Sequence, residues 1–96
     1  MHPVCLITGA SSGIGAALAR RIAASGQALA LTARRLDRLE ALAQELRQAH
    51  GVTVASIRCD LAQPDGAASL LETLRQRDLE VGTLVNNAGF GLRGDF

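Results

Sequence analysis

The chain has 96 residues, 48% of them apolar, and a formal net charge of +1, which together suit one small globular domain. The near-neutral charge argues against nucleic acid or a membrane surface as a partner, and no apolar run is long enough to cross a bilayer. Because the sequence enters a predicted strand almost at once, with no signal-peptide pattern, we expect a cytoplasmic protein.

A glycine-rich turn follows the first predicted strand, which we place at residues 4–7. The segment from Thr8 to Gly15 reads TGASSGIG and spaces its glycines as GxxxGxG, and a helix at about residues 13–25 would begin within it. Glycine lets an anion approach the backbone, and a helix amino terminus attracts negative charge. The turn therefore predicts a binding site for a dinucleotide pyrophosphate; the alternative is an ordinary turn without a ligand.

The remaining predicted elements alternate between strands and helices. We predict strands at residues 28–33, 52–59 and 83–86, a helix at about residues 36–50, and a third helix with Pro64 in its first turn. Gly26 and Gly51 fit the left-handed position after the first two helices. Apolar side chains at helical spacing predict one face on each helix, formed by Ile14, Leu18 and Ile22, by Leu36, Leu39, Leu42, Ala43 and Leu46, and by Ala67, Leu70, Leu71 and Leu74.

This alternation predicts an α/β fold, a Rossmann-like doubly wound parallel sheet with strand order 3-2-1-4. The polar residues Thr53, Ser56 and Arg58 suit a third strand at the sheet edge. Helices 1 and 2 would cover one face and helix 3 only part of the other, which leaves strand 4 as an open edge. We therefore expect residues 1–96 to be the N-terminal portion of a larger domain; a self-contained small protein is the alternative.

A pair of arginines follows the second predicted strand, about 20 residues after the glycine turn. Dinucleotide-binding folds often hold the adenosine ribose there with an acidic residue, whereas Arg34 and Arg35 would attract a 2′-phosphate. The pair predicts a preference for NADP(H) over NAD(H), with Arg34 as the better candidate. We interpret Asp37 as a helix-start residue rather than a ribose ligand. The alternative is that both arginines are solvated loop residues.

Two further polar segments end strands 3 and 4. Asp60 could accept a hydrogen bond from the adenine amino group while Leu61 packs near the ring, or Asp60 could simply mark the start of helix 3. The segment at residues 86–89 reads NNAG, whose small residues allow close approach to a cofactor and whose asparagines could join neighbouring strand ends. The alternative is a polar turn.

The cysteines and histidines do not form a metal-binding pattern. Cys5 and Cys59 lie in predicted strands that the sheet order separates, so we do not expect a disulfide, and neither has a partner at metal-ligand spacing. His2 and His50 are isolated, and we interpret both as solvated side chains.

Taken in order, the segments TGASSGIG, ARR, CDL and NNAG resemble the short-chain dehydrogenase/reductase family over essentially the whole chain. Many NADP(H)-preferring members carry a basic residue where this sequence has Ser12, so the predicted preference depends on the arginine pair. The resemblance implies that Asn86 or Asn87 braces the sheet. It also implies a set of cofactor-binding residues, namely Gly9, Ser11, Ser12, Gly13, Ile14, Gly15, Arg34, Arg35, Asp60, Leu61, Asn87, Ala88 and Gly89.

The same resemblance implies hydride transfer between a nicotinamide cofactor and a small carbonyl or alcohol. The family uses a Tyr-x-x-x-Lys motif for this chemistry, and the chain has neither tyrosine nor lysine. We therefore name no catalytic residue, expect this chain alone to be inactive, and expect the motif further along a longer natural chain. That protein would be an NADP(H)-dependent homo-oligomer; the alternative is a non-catalytic NADP(H)-binding module or subunit.

Overall fold

A computed structural model of the chain describes residues 2–11 and 13–87. It contains a four-stranded parallel sheet in the order β3-β2-β1-β4, which confirms the predicted doubly wound order. The elements in chain order are β1 His2–Thr8, α1 Gly13–Ala24, β2 Leu29–Ala33, α2 Leu36–His50, β3 Val54–Arg58, α3 Gly66–Gln76 and β4 Leu79–Asn86. Within these residues no helix is both long and apolar enough to cross a membrane.

The sheet separates two apolar clusters. Helices α1 and α2 pack on one face, where Ile7, Leu29 and Leu31 of the central strands have no exposed surface or almost none. Helix α3 packs on the other face, where its residues Leu70 and Leu74 contact the smaller cluster of β1, β2 and β3. This distribution confirms that two helices cover one face and that a single helix covers part of the other.

Helix α1 buries a different face from the one that its larger apolar residues predict. The buried positions are Gly15, Ala16, Ala19 and Ala23, whereas Ile14 is 66% exposed and Leu18 and Ile22 are only half-buried. Small side chains let the helix axis approach the sheet closely, so the contact uses alanines rather than the branched residues. The apolar periodicity identified the helix correctly and its buried face wrongly.

The outer members of the other two apolar faces are also exposed. Leu36 begins α2 and is 43% exposed, while the rest of the predicted face is buried. On α3, Leu71 is 64% exposed and Ala67 is exposed, so only Leu70 and Leu74 reach the core. For α3 the reason is that a single helix on a wide sheet face contacts the strands along a narrow line.

Several element boundaries differ from prediction: β1 begins at His2 instead of residue 4, β3 begins at Val54 instead of residue 52, and the starts of α3 and β4 also differ. Pro64 lies before α3 rather than in its first turn, because hydrogen bonds from Gln63 N to Asp60 O and from Gly66 N to Gln63 O form separate turns there. Strand β4 begins at Leu79 instead of residue 83. Its first residues pair with His2–Val4, and a register shift between Val4 and Cys5 separates these pairs from the rest of the strand. The apolar pattern does not reveal this first part of the strand.

The two edges of the sheet are built differently. Two arginines donate to successive outward carbonyls of β3: Arg47 Nε to Val54 O at 3.1 Å, and Arg77 Nη1 to Ser56 O at 3.1 Å. These guanidinium groups come from opposite sides of the sheet and occupy acceptors that a further strand would need. Strand β4, in contrast, pairs only with β1 within the described residues, and its Leu84 is 57% exposed.

Candidate functional site: the carboxyl edge of the sheet

All four polar segments singled out in the sequence follow the carboxyl ends of neighbouring parallel strands. The glycine turn follows β1, Arg34 and Arg35 follow β2, Asp60 follows β3, and Asn87 follows β4. Parallel strands bring their carboxyl ends to the same end of the sheet, which we call its carboxyl edge, and ligands of open α/β sheets bind there. The structure therefore brings the predicted segments together, apart from Ser12, Ala88 and Gly89, which lie outside the described residues.

The glycine turn needs glycine at two positions for conformational reasons. Gly9 and Gly13 have φ angles of 63° and 59°, in the left-handed region that side chains disfavour. Between them, Ala10 is completely buried, and its N–H donates to Thr32 O at 3.1 Å. This bond ties the turn to the end of β2, so the turn has a defined position relative to the second strand.

Gly15 is required for a different reason, which is space. A Cβ atom there would contact Gly9 O directly and would lie 2.7 Å from the side-chain nitrogen of Asn87. That nitrogen, Nδ2, donates a 3.0 Å hydrogen bond to Gly9 O. The three residues thus hold the turn, the first helical residues and the end of β4 in one tight contact.

The bracing role expected of the asparagines is present at both positions. Asn87 bonds the glycine turn, and Asn86 Oδ1 accepts a 3.0 Å hydrogen bond from Thr8 Oγ1 at the end of β1. Thr8 is buried, and the sequence analysis names it only as the first residue of the TGASSGIG segment. A polar residue directly opposite an asparagine in register is the signal that could have identified it.

At the amino end of α1, Ile14 projects its apolar side chain from the surface beside the glycine turn. It is 66% exposed although the same helix buries three alanines. Ser11 is half-buried in the turn itself. An exposed branched side chain and small residues at a helix amino terminus form a surface on which an anionic ligand with apolar rings could rest.

The arginine pair does not act as one unit. Arg35 donates to both carboxylate oxygens of Asp37, from Nε at 3.2 Å and from Nη2 at 3.0 Å. Arg34 is exposed and has no hydrogen-bond or ion-pair partner among the described residues. The hydrogen bond with Asp37 raises the pKa of Arg35, and the same bond lowers the pKa of Asp37. Asp37 does lie in the first turn of α2, as interpreted, but it also pairs with an arginine of the candidate site.

The turn after β3 has Asp60 and Leu61 in defined positions. Asp60 Oδ1 accepts from Ala62 N at 3.0 Å, so this carboxylate orders the turn and does not cap α3, whose preceding residue is Asp65. Leu61 is half-buried and packs against the smaller core cluster. Asp60 also lines a shallow cavity of about 170 Å³ at the carboxyl edge.

Gly66 is a residue that the sequence reasoning missed. A Cβ atom on it would contact Asp60 O and lie 3.1 Å from Leu61 Cα, so only glycine lets α3 begin against this turn. Its carbonyl accepts from Cys59 Sγ at 3.3 Å. Nothing in the local sequence distinguishes Gly66 from a glycine in an ordinary turn, because the contact forms only when the first residue of α3 packs against the turn that contains Asp60 and Leu61.

The cysteines and histidines lie apart from one another. Cys5 and Cys59 are both free, and burial raises the pKa of the Cys5 thiol. His2 and His50 are exposed, at opposite ends of their elements. Across residues 2–11 and 13–87, no three histidine, cysteine or acidic side chains come together as metal ligands would.

Comparisons with known proteins identify the same family from sequence. Residues 3–96 match the family model described as short chain dehydrogenase. The chain is 45% identical over 92 residues to sulfoacetaldehyde reductase 2 of Chromohalobacter salexigens, an alignment that covers 96% of this chain and 36% of the relative. It is 43% identical over 86 residues to 11-beta-hydroxysteroid dehydrogenase 1A of Arabidopsis thaliana, covering 90% of this chain and 25% of that protein.

Solved structures agree in fold. A short-chain dehydrogenase from Sphingobium yanoikuyae in complex with NADPH superposes with a TM-score of 0.81 at 49% identity, over 91% of this chain and 34% of that one. L-sorbose reductase from Gluconobacter frateurii, complexed with NADPH and L-sorbose, gives a TM-score of 0.85 at 41% identity, over 92% and 34%. The chain therefore spans between a quarter and about a third of the length of the proteins that it matches.

Proposed function

Because this chain belongs to the short-chain dehydrogenase/reductase family, we propose that it is the cofactor-binding part of an NADP(H)-dependent oxidoreductase. The protein would transfer a hydride between the nicotinamide and a small carbonyl or alcohol. The observation that carries the proposal is the convergence of four polar strand ends at one edge of the sheet, along which an extended dinucleotide would lie.

Each strand end would contact a different part of the cofactor. The glycine turn, through Gly9, Ser11, Ser12, Gly13, Ile14 and Gly15, would surround the phosphates and a ribose, where α1 presents its amino terminus. Asp60 and Leu61 would bracket adenine. Asn87, Ala88 and Gly89 would lie along the cofactor toward the nicotinamide. In this arrangement the hydrogen bond from Asn87 to Gly9 keeps the turn in place before the cofactor arrives.

The preference for NADP(H) depends on charge at the end of β2. The exposed guanidinium of Arg34 has no competing partner among the described residues, and a phosphate there would accept paired, charge-assisted hydrogen bonds from it. An acidic residue that selects a free ribose hydroxyl is absent from positions 33–35. The structures from Sphingobium and Gluconobacter were both obtained with NADPH, which supports the same cofactor here.

The bound cofactor would supply the hydride, and this chain would bind and orient it. Reduction of a carbonyl also needs a proton donor beside its oxygen. The chain contains neither tyrosine nor lysine, so we propose that a Tyr-x-x-x-Lys motif stands in a longer natural protein and that residues 1–96 alone are inactive. The second candidate is a non-catalytic NADP(H)-binding module or subunit.

The test is a comparison of NADPH and NADH binding to the natural protein and two variants. Arg34→Ala should weaken NADPH binding about tenfold or more, as expected for a lost charge-assisted contact, and should leave NADH binding nearly unchanged. Arg38→Ala is the matched control, because Arg38 is exposed on α2, beyond the loop that follows β2. Equal losses for the two cofactors would reject the 2′-phosphate role of Arg34.

Catalysis is tested separately, on the same natural protein. Oxidation of NADPH in the presence of simple aldehydes and ketones would support the reductase. A protein that binds NADPH tightly but consumes none with any carbonyl or alcohol would instead be the non-catalytic subunit.

A further inference from the structure

The end of β2 carries two arginines but only one uncompensated positive charge. Asp37 holds the Nε and Nη2 groups of Arg35 through both of its carboxylate oxygens, at 3.2 and 3.0 Å. Arg34 has no such partner in the described part of the chain. A phosphate arriving at this edge would therefore meet one free guanidinium and one that is already paired.

The carboxylate of Asp37 is well placed to keep its charge. It lies in the first turn of α2, where the helix dipole favours an anion, and it accepts two hydrogen bonds from a guanidinium. Its interaction with a 2′-phosphate would be repulsive, because both groups are anions. Asp37 thus acts against phosphate binding in two ways, by occupying Arg35 and by adding negative charge beside the site.

We propose that Asp37 is a specificity-determining residue that limits the preference for NADP(H) by holding Arg35 away from the 2′-phosphate. This inference rests on the proposed NADP(H) site and extends it. Arg34 makes the phosphate contact, whereas Arg35 would contact the phosphate only if Asp37 released it. The Arg35–Asp37 pair therefore sets the ratio of the affinities for the two cofactors.

The experiment measures dissociation constants for NADPH and NADH in four forms of the natural protein: the unaltered protein, Asp37→Asn, Arg35→Ala, and the double variant. Asparagine keeps the shape of the side chain and removes its charge. Asp37→Asn should tighten NADPH binding by about two- to fivefold, the range that exposed ion pairs contribute, and leave NADH binding unchanged. Arg35→Ala should weaken NADPH binding less than Arg34→Ala does, because it leaves the carboxylate of Asp37 uncompensated beside the phosphate. The double variant should bind NADPH no more tightly than the unaltered protein, because the gain in Asp37→Asn requires Arg35.

Glu80→Gln is the charge control. Glu80 is exposed at the amino end of β4, the opposite end of the sheet from the site, so its substitution removes one negative charge without touching the arginines. It should leave both dissociation constants unchanged. If Glu80→Gln tightened NADPH binding as much as Asp37→Asn, net charge alone would explain the effect, and the specific role of the Arg35–Asp37 pair would be overturned.

Two other results would also overturn the inference while leaving the proposed function intact. Weaker NADPH binding in Asp37→Asn would mean that the carboxylate orients Arg35 toward the phosphate. If Arg35→Ala weakened NADPH binding as much as Arg34→Ala, Arg35 would already contact the phosphate despite its pairing with Asp37. If the unaltered protein binds NADH as tightly as NADPH, the NADP(H) preference itself fails, and the inference fails with it.

Discussion

The side chain of Asn87 reaches from the end of β4 to the glycine turn and donates a 3.0 Å hydrogen bond from Nδ2 to the carbonyl oxygen of Gly9. The contact is close enough that a methyl group on Gly15 would lie 2.7 Å from the same nitrogen. The two strands that it joins are neighbours in the sheet, although the residues are separated by most of the chain. The shape of the candidate phosphate site therefore depends on β4 as well as on its own turn.

Gly15→Ala should lower both stability and cofactor affinity. Its new methyl group must displace Gly9 O or Asn87, and forcing an extra carbon into a packed contact costs about 1–3 kcal/mol. Gly82→Ala is the matched control, because a methyl group there would have no neighbour nearer than 3.9 Å. Urea denaturation of both variants would show the difference, and equal midpoints would contradict the close contact at Gly15.

Asn87→Asp tests whether the hydrogen bond to Gly9 O, rather than the shape of the side chain, stabilises the glycine turn. Aspartate has the same size but no N–H to donate, so Gly9 O loses its donor and faces a negatively charged oxygen instead. We expect a loss of about 1 kcal/mol or more in the free energy of unfolding, together with weaker NADPH binding. Measured at neutral pH, unchanged stability and affinity would show that this bond has no role in positioning the turn.

Thr8 and Thr32 form a natural pair for testing what a buried hydroxyl contributes. They are register partners on adjacent strands, and both are buried. Thr8 Oγ1 donates to Asn86 Oδ1, whereas Thr32 Oγ1 has no hydrogen-bond partner among the described residues. Thr8→Val should destabilise the fold by about 1 kcal/mol, whereas Thr32→Val should be neutral or stabilising. Thermal unfolding would distinguish them, and equal losses would refute this difference.

The arginines at the β3 edge should protect the protein from self-association. Replacing both Arg47 and Arg77 by alanine exposes the carbonyls of Val54 and Ser56 to pairing with another chain. The double variant should aggregate faster than the unaltered protein, as followed by light scattering at equal concentration. The control, Arg21→Ala with Arg38→Ala, removes the same charge from exposed helix positions and should not aggregate.

The proposed preference for NADP(H) should weaken in mild acid, because the 2′-phosphate gains a proton there while the carboxylate of Asp37 keeps its charge. The hydrogen bond from Arg35 lowers the pKa of Asp37, so its pairing is lost only as pH falls through a value below that of an ordinary aspartate. A phosphate monoester gains its second proton near about pH 6. The ratio of NADH to NADPH dissociation constants should therefore fall between pH 7 and 5, and a constant ratio would argue against a phosphate contact.

Much of the fold follows from local signals. The limits of α2 agree with prediction at both ends, and the left-handed φ angles of Gly26 and Gly51, 90° and 67°, confirm where the first two helices stop. The polar composition of β3 identified it as an edge strand. Periodicity, glycine position and strand polarity are properties of short segments, and the sequence therefore displays them directly.

The details of the site were less accessible because they arise from contacts between distant segments. The apolar residues of α1 did not reveal that alanines face the sheet, and nothing near Gly66 indicated its contact with Asp60. Arg34 and Arg35 look equivalent as neighbours in sequence. Only the side-chain geometry shows that Asp37 binds one of them, and the bond depends on the orientation of the first turn of α2.

Residue type and spacing alone specify the order of elements, the parallel sheet, the family resemblance and the lack of tyrosine and lysine. Folding is needed to show which glycine is required for conformation and which for space, how Asn87 supports the turn, and which arginine is free. Hydrogen bonds and steric contacts act over a few ångströms, and only folding brings residues from different strand ends within that range.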